Sequence, residues 1–183
     1  MTASAGGAGD PSTAATPSLT RRMACFCYEG LLLFGIALVP GVLGAIFVAQ
    51  TGQRHPLQSE TALRIYALVL DAIYFVGLWS ARGQTLAMQT WRIRVVTAAG
   101  GGLSQGRALL RFVACCIAWL GVPTALASAL DWPPLVTLLA VLAWFAIYPL
   151  FAHFAPGRQF WHDRLCGTRL VVAAPREVRP RPR

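Results

Sequence analysis

The chain has 183 residues, is 56% hydrophobic and only 13% charged, and carries a formal net charge of +9. Such a composition lies outside the soluble range, and apolar runs of membrane-spanning length set the class: one helical bundle crossing a membrane several times, with tails. The positive charge comes entirely from arginines that flank those runs, which argues for membrane topology and anionic headgroups and against nucleic acid as their target.

Residues 1–20 are small, polar and rich in Gly and Pro, a composition that predicts a disordered tail. Thr20-Arg21-Arg22 before an apolar run is similar to a twin-arginine export signal. The run is too long for a signal core, and no small-residue cleavage site follows it, so a first anchor is expected instead. That span covers about Met23 to Ala49, with Glu29 some two turns inside it. It exceeds the ~20 residues a bilayer needs and should tilt or kink, with Pro40-Gly41 as the kink. Ala37, Gly41 and Ala45 give it a small-residue packing face.

A polar loop over residues 50–62 leads to a second span, about Leu63 to Ser80, with Asp71 near its centre. Gly83 to Arg111 then forms a water-facing strap without a single acid. Gly83 to Met88 reads as an interfacial turn or short helix. Trp91-Arg92-Ile93-Arg94-Val95 alternates apolar and basic, a strand with one buried face. Gly100-Gly101-Gly102 is a turn, and Ser104 is placed to N-cap a helix beginning near Gln105. That helix becomes span three, about Ala108 to Leu130, with Arg107 and Arg111 at i, i+4. Asp131-Trp132-Pro133-Pro134 turns the chain into span four, about Leu135 to Phe154. Thr168 to Val172 is apolar and β-branched enough for a second strand, which should pair with Arg92–Thr97, since lone strands leave their backbone unpaired. Ile93 and Val95 should then face the bundle, and Arg92 and Arg94 water. Residues 175–183 form a basic, proline-rich disordered tail.

The expected architecture is thus an all-α membrane protein of four transmembrane helices with a small cytoplasmic β-sheet element. Fourteen of the sixteen arginines fall on one side when both termini and the strap are placed inside. The positive-inside rule therefore predicts cytoplasmic N- and C-termini.

The motifs Gly83-Gln84-Thr85-Leu86, Trp91-Arg92-Ile93-Arg94-Val95-Val96, Leu103-Ser104 and Arg107-Ala108-Leu109-Leu110-Arg111 resemble the RDD family of bacterial membrane proteins. So does the closing stretch Trp161-His162-Asp163-Arg164-Leu165 with Gly167-Thr168-Arg169-Leu170-Val171-Val172. The likeness covers roughly residues 21–174 and implies a plasma-membrane location. The family is named for one arginine and two aspartates. Carried over, the arginine falls on Arg22 or Arg21 and the last aspartate on Asp163. The first aspartate falls on Glu29, where the family usually has Tyr-Asp, so the chain departs by one methylene and keeps the carboxylate. The resemblance implies a transport role, with cation/proton exchange in some relatives.

An ionised carboxylate at membrane depth costs roughly 2.5–3.5 kcal/mol on insertion scales, so Glu29 needs a partner, water or a proton. It is either a proton- or cation-binding group facing the bundle or a static polar clasp. Asp71 is a secondary candidate, as a second carboxylate beside Glu29 or a neutral hydrogen-bonded one. His162 with Asp163 invites a phosphohydrolase reading, but the further His and Asp ligands that chemistry needs are missing. Asp163 is expected to pair with strap arginines (Arg92, Arg94, Arg107) or to cap the turn into the last strand. Arg22 is expected at the interface, reaching headgroup phosphate or the Asp163 carboxylate. The five cysteines give neither a disulfide framework nor a metal pair and read as small hydrophobes. No nucleophile–base set, phosphate loop or cofactor motif is present, so no enzyme chemistry and no cofactor is expected. Two functions remain: transport through Glu29, or a non-transporting scaffold or accessory subunit whose Arg-rich face binds a partner or anionic lipid. The small size is also compatible with a homo-oligomer.

Overall fold

A computed structural model describes residues 14–52 and 60–173. Its elements in chain order are α1 (Leu19–Thr51), α2 (Glu60–Arg82), α3 (Leu86–Thr90), β1 (Ile93–Thr97), α4 (Gln105–Cys116), a π-helical turn (Ile117–Gly121), α5 (Val122–Ala129), α6 (Pro134–Phe154), a 3-10 turn (Pro156–Arg158), α7 (Trp161–Leu165) and β2 (Thr168–Val172). Four helical segments are long and apolar enough to cross a membrane: Leu19–Thr51, Thr61–Arg82, Gln105–Ala129 and Pro134–Phe154. Their outward faces are hydrophobic, with Leu31, Phe34, Leu43, Ile65 and Leu135 all more than half exposed. Bilayer hydrocarbon is the solvent that tolerates such a surface.

The helix starts follow local chemistry. Ser18, Thr85 and Ser104 cap α1, α3 and α4, each hydroxyl accepting from the backbone N–H three residues on. The strap doubles back on itself: Val95 N–H donates to the Gly83 carbonyl at 2.8 Å. Gly83 sits at φ +67, and a Cβ there would stand 2.8 Å from the Val95 carbonyl oxygen, so only glycine fits this crossing.

β1 and β2 pair antiparallel, with Ile93 opposite Val172, Val95 opposite Leu170 and Thr97 opposite Thr168. Ile93 and Val95 are buried against the helices, and Arg92 and Arg94 are exposed, as the alternation predicted. The free edge of β2 is covered. Gln159 both donates to and accepts from the Leu170 backbone, and Val172 N–H donates to the Ala15 carbonyl at 2.9 Å. Residues 14–20, expected to belong to a disordered tail, are thereby partly held: Thr16 also bonds Gly157 and Gln159, and α1 begins at Leu19. Residues 1–13 and the C-terminal tail expected from 175 lie outside the described residues.

Span three is not one regular helix. Pro123 has no N–H to give the Trp119 carbonyl. The ladder widens just before it, and Val122 N–H bonds Ile117 rather than Ala118. The Ala118 carbonyl left over accepts from the Trp144 indole of α6 at 2.8 Å. Trp144→Phe should leave that carbonyl unpaired and lower stability by about 1–2 kcal/mol, read as a drop in the unfolding midpoint in detergent.

The packed core sits at the sheet-bearing end of the bundle. It joins Cys25 of α1, Trp79 of α2, Ala108 and Phe112 of α4, Trp119 of the π turn, Tyr148 and Ala152 of α6, Phe160, and Ile93, Val95 and Leu170 of the sheet.

Candidate functional site

Two carboxylates are buried in this core, and their surroundings differ. Asp163, in the short helix α7, is fully buried. Its Oδ1 accepts from Arg111 Nε at 2.9 Å and lies 2.6 Å from Arg111 Nη2. Arg111 comes from the inward stripe of α4 that includes Ala108 and Phe112, and its guanidinium lies over the Trp79 ring at 4.1 Å. The α7 backbone is fixed from the other side, where the Thr168 hydroxyl donates to the Asp163 carbonyl at 3.0 Å. The pair therefore locks span three to the helix preceding β2.

Here the structure corrects the sequence reading. The partner of Asp163 is Arg111, not Arg92, Arg94 or Arg107, all of which are exposed. Arg94 lies on the outward side of β1, and Arg92 in the turn just before it. Arg107 lies a full turn nearer the start of α4 than Arg111 and outside the packed stripe. Arg22, expected to reach headgroup phosphate or Asp163, is 4% exposed, with its guanidinium over the Phe160 ring at 4.6 Å and within the influence of the Asp163 charge. Its Nε and Nη1, like Asp163 Oδ2, are buried without a hydrogen-bond partner among the described residues. Arg21 faces the strap instead, where its Nε donates to the Trp91 carbonyl.

His162 stands beside this group, with Nε2 3.7 Å from Asp163 Oδ1 and Nδ1 2.7 Å from the Tyr148 hydroxyl. With the proton on Nε2, Tyr148 donates to Nδ1 and the imidazole N–H points toward the carboxylate. Burial is the largest influence on this ring; it outweighs Asp163 and, with help from Arg111 and Arg22, lowers the pKa to about 4. His162 is thus a neutral packing and hydrogen-bonding residue at physiological pH. As pH drops from 6.5 toward 4, the unfolded chain takes up a proton that the folded chain refuses. Stability should be fully present above this window and fall through it by about 3 kcal/mol at most. Thermal unfolding at stepped pH checks this, and His162→Gln should flatten the slope.

Glu29 is 8% exposed, inside α1. Its Oε1 accepts from the Tyr74 hydroxyl of α2 at 2.6 Å, and its Oε2 accepts from the Thr85 hydroxyl at the start of α3. Thr85 is free to donate because its oxygen already accepts from Met88 N–H at 3.2 Å. Both partners are neutral. No arginine among the described residues balances this carboxylate, whereas Arg111 balances Asp163.

Glu29 also borders a half-open cavity of about 300 Å³ between α1, α2, the α4 to π-turn segment and α6. Asp71 lines the same space, as do Arg22, Arg111 and His162. The expected Glu29–Asp71 neighbourhood is thus a shared cavity wall. Of the residues that hold the two buried carboxylates, Tyr74 and Thr85 were not singled out, and Arg111 was not named as the partner of Asp163. Arg111 could have been found from its place in the stripe Ala108, Phe112, Cys115, Trp119. Thr85 stands in the motif Gly83-Gln84-Thr85-Leu86 without its bond to Glu29 being readable there, and Tyr74 carries no sequence signal of its own.

No curated protein and no solved structure matches the chain. One family model does, that of the RDD family, over residues 16–167, a stretch that contains Arg22, Glu29 and Asp163.

Proposed function

The chain belongs to the RDD family and is a multi-pass membrane protein, and on that premise we propose that it couples transport to a proton or small cation taken up and released by Glu29. The observation that carries this reading is the charge balance of the two buried carboxylates. Asp163 has a fixed arginine counter-ion, while Glu29 is held only by two hydroxyls and borders a cavity. A carboxylate at depth needs compensation, and where no side chain supplies it, an exchangeable proton or cation does. Asp71 on the same wall offers a second oxygen ligand or proton acceptor. Flux in proteoliposomes, comparing the wild type with Glu29→Gln, tests the reading.

The hydroxyl bonds of Glu29 also support the competing view, because they tie α1 to α2 and to the strap as a static clasp would. On that view the protein is a scaffold or accessory subunit, and the exposed Arg82, Arg92, Arg94 and Arg107 at the sheet-bearing end meet anionic headgroups. The two readings separate on flux.

Orientation belongs to the same proposal. We place the protein in a bacterial plasma membrane with termini, strap and sheet in the cytoplasm, because the arginines concentrate there. In right-side-out vesicles, Gly101→Cys should resist a membrane-impermeant maleimide while Ser59→Cys reacts. Labelling of Gly101→Cys from outside would invert the topology.

A further inference from the structure

The cavity combines two features that the coupling role of Glu29 does not use. Its walls are mostly large apolar side chains, among them Phe26, Phe75, Trp119 and Phe145. At its sheet-bearing end lies Arg22, 4% exposed, with Nε and Nη1 unpartnered among the described residues. A buried guanidinium without acceptors is costly. The nearby acids give it no hydrogen bond: Asp163 acts on it through charge alone, bonds Arg111 and does not line the cavity, and both oxygens of Glu29 are engaged by hydroxyls. His162 is neutral there, so the polar end of the cavity carries an excess positive charge. A volume of about 300 Å³ lies at the small end of ligand pockets, which are typically apolar with a few convergent polar groups.

We propose that this cavity binds a single-chain amphiphilic anion, with its acidic headgroup on Arg22 and its apolar chain running between α1, α2 and α6 toward Gly30 and Leu33. The site does not depend on Glu29 moving a proton, so it stands or falls apart from the transport reading. The shared chemistry is an acidic headgroup on a hydrocarbon chain, which either a membrane lipid or a freely diffusing amphiphile supplies.

The test uses the full chain in phosphatidylcholine nanodiscs and dodecyl phosphate brominated near its chain end, read by quenching of tryptophan fluorescence, since Trp79 and Trp119 line the cavity. Saturable quenching is expected, with brominated dodecanol and inorganic phosphate at least tenfold weaker. Arg22→Gln should weaken the phosphate probe at least tenfold, and Arg22→Lys less. Gly30→Leu provides a variant that keeps the arginine. A Cβ at Gly30 meets nothing within 4 Å, so the added side chain should fill the chain-binding region, preserve the unfolding midpoint and abolish saturable quenching. Loss of the probe signal in nanodiscs containing phosphatidylglycerol would assign the site to membrane lipid, and persistence to a diffusing amphiphile. Either result supports the proposal. Non-saturable quenching by the wild type, equal binding of the uncharged alcohol, inorganic phosphate binding as tightly as the probe, or unaltered binding in Arg22→Gln or in Gly30→Leu would overturn it.

Discussion

Asp163→Ala is expected to destabilise the protein by about 3–5 kcal/mol, enough to unfold much of it or prevent its recovery from the membrane. The reason lies in what is left behind. Asp163 is fully buried and Arg111 is 4% exposed, so truncating the acid strands a guanidinium in the core over the Trp79 ring. Its Nε and Nη2 both lose the Oδ1 acceptor. Asp163→Asn should cost less, because an amide oxygen still accepts one of those bonds. The double variant Arg111→Met with Asp163→Leu should be more stable than either single truncation, since apolar replacement removes both desolvation penalties together. Unfolding midpoints in a double-mutant cycle check this, and additive single-variant losses would show that the pair is not coupled. A charge swap between Arg22 and Asp163, attractive from sequence alone, is not expected to rescue anything, because Arg111 is the bonded partner.

Much of this fold could be read from the sequence because its signals are local. Four apolar runs of spanning length give four helices, the Trp91–Val95 alternation gives β1 with Ile93 and Val95 buried, and Ser104 caps α4 where a hydroxyl precedes the helical pattern. What escaped depends on contacts distant along the chain. Asp163 meets Arg111 across 52 residues, and they meet only because β2 pairs with β1 and pulls α7 against α4. The burial of Arg22 follows from Phe160 arriving over it, which nothing near position 22 announces. Helix α7 is one turn and a half, too short for periodicity to reveal. Pro123 lies inside an apolar run, but whether a proline kinks a helix or widens it depends on its neighbours, here the Trp144 indole.

Glu29 was legible as an intramembrane carboxylate, though not its partners. Tyr74 and Thr85 are common interior residues, and only the packing of α2 and the strap onto α1 makes them its donors. Glu29→Gln keeps the shape and an oxygen for one hydroxyl donor while removing the exchangeable charge, so the protein should stay folded. Glu29→Ala is less informative, because it leaves both hydroxyls unpartnered and mixes stability with function.

The direct measurement is therefore pH-gradient dissipation in proteoliposomes upon a pulse of sodium or potassium, wild type beside Glu29→Gln, with both proteins matched for unfolding midpoint. The wild type should collapse the gradient in a cation-dependent way, and Glu29→Gln should reduce that rate to the level of protein-free vesicles. A folded Glu29→Gln with undiminished flux, or a wild type with none, would contradict coupling through Glu29.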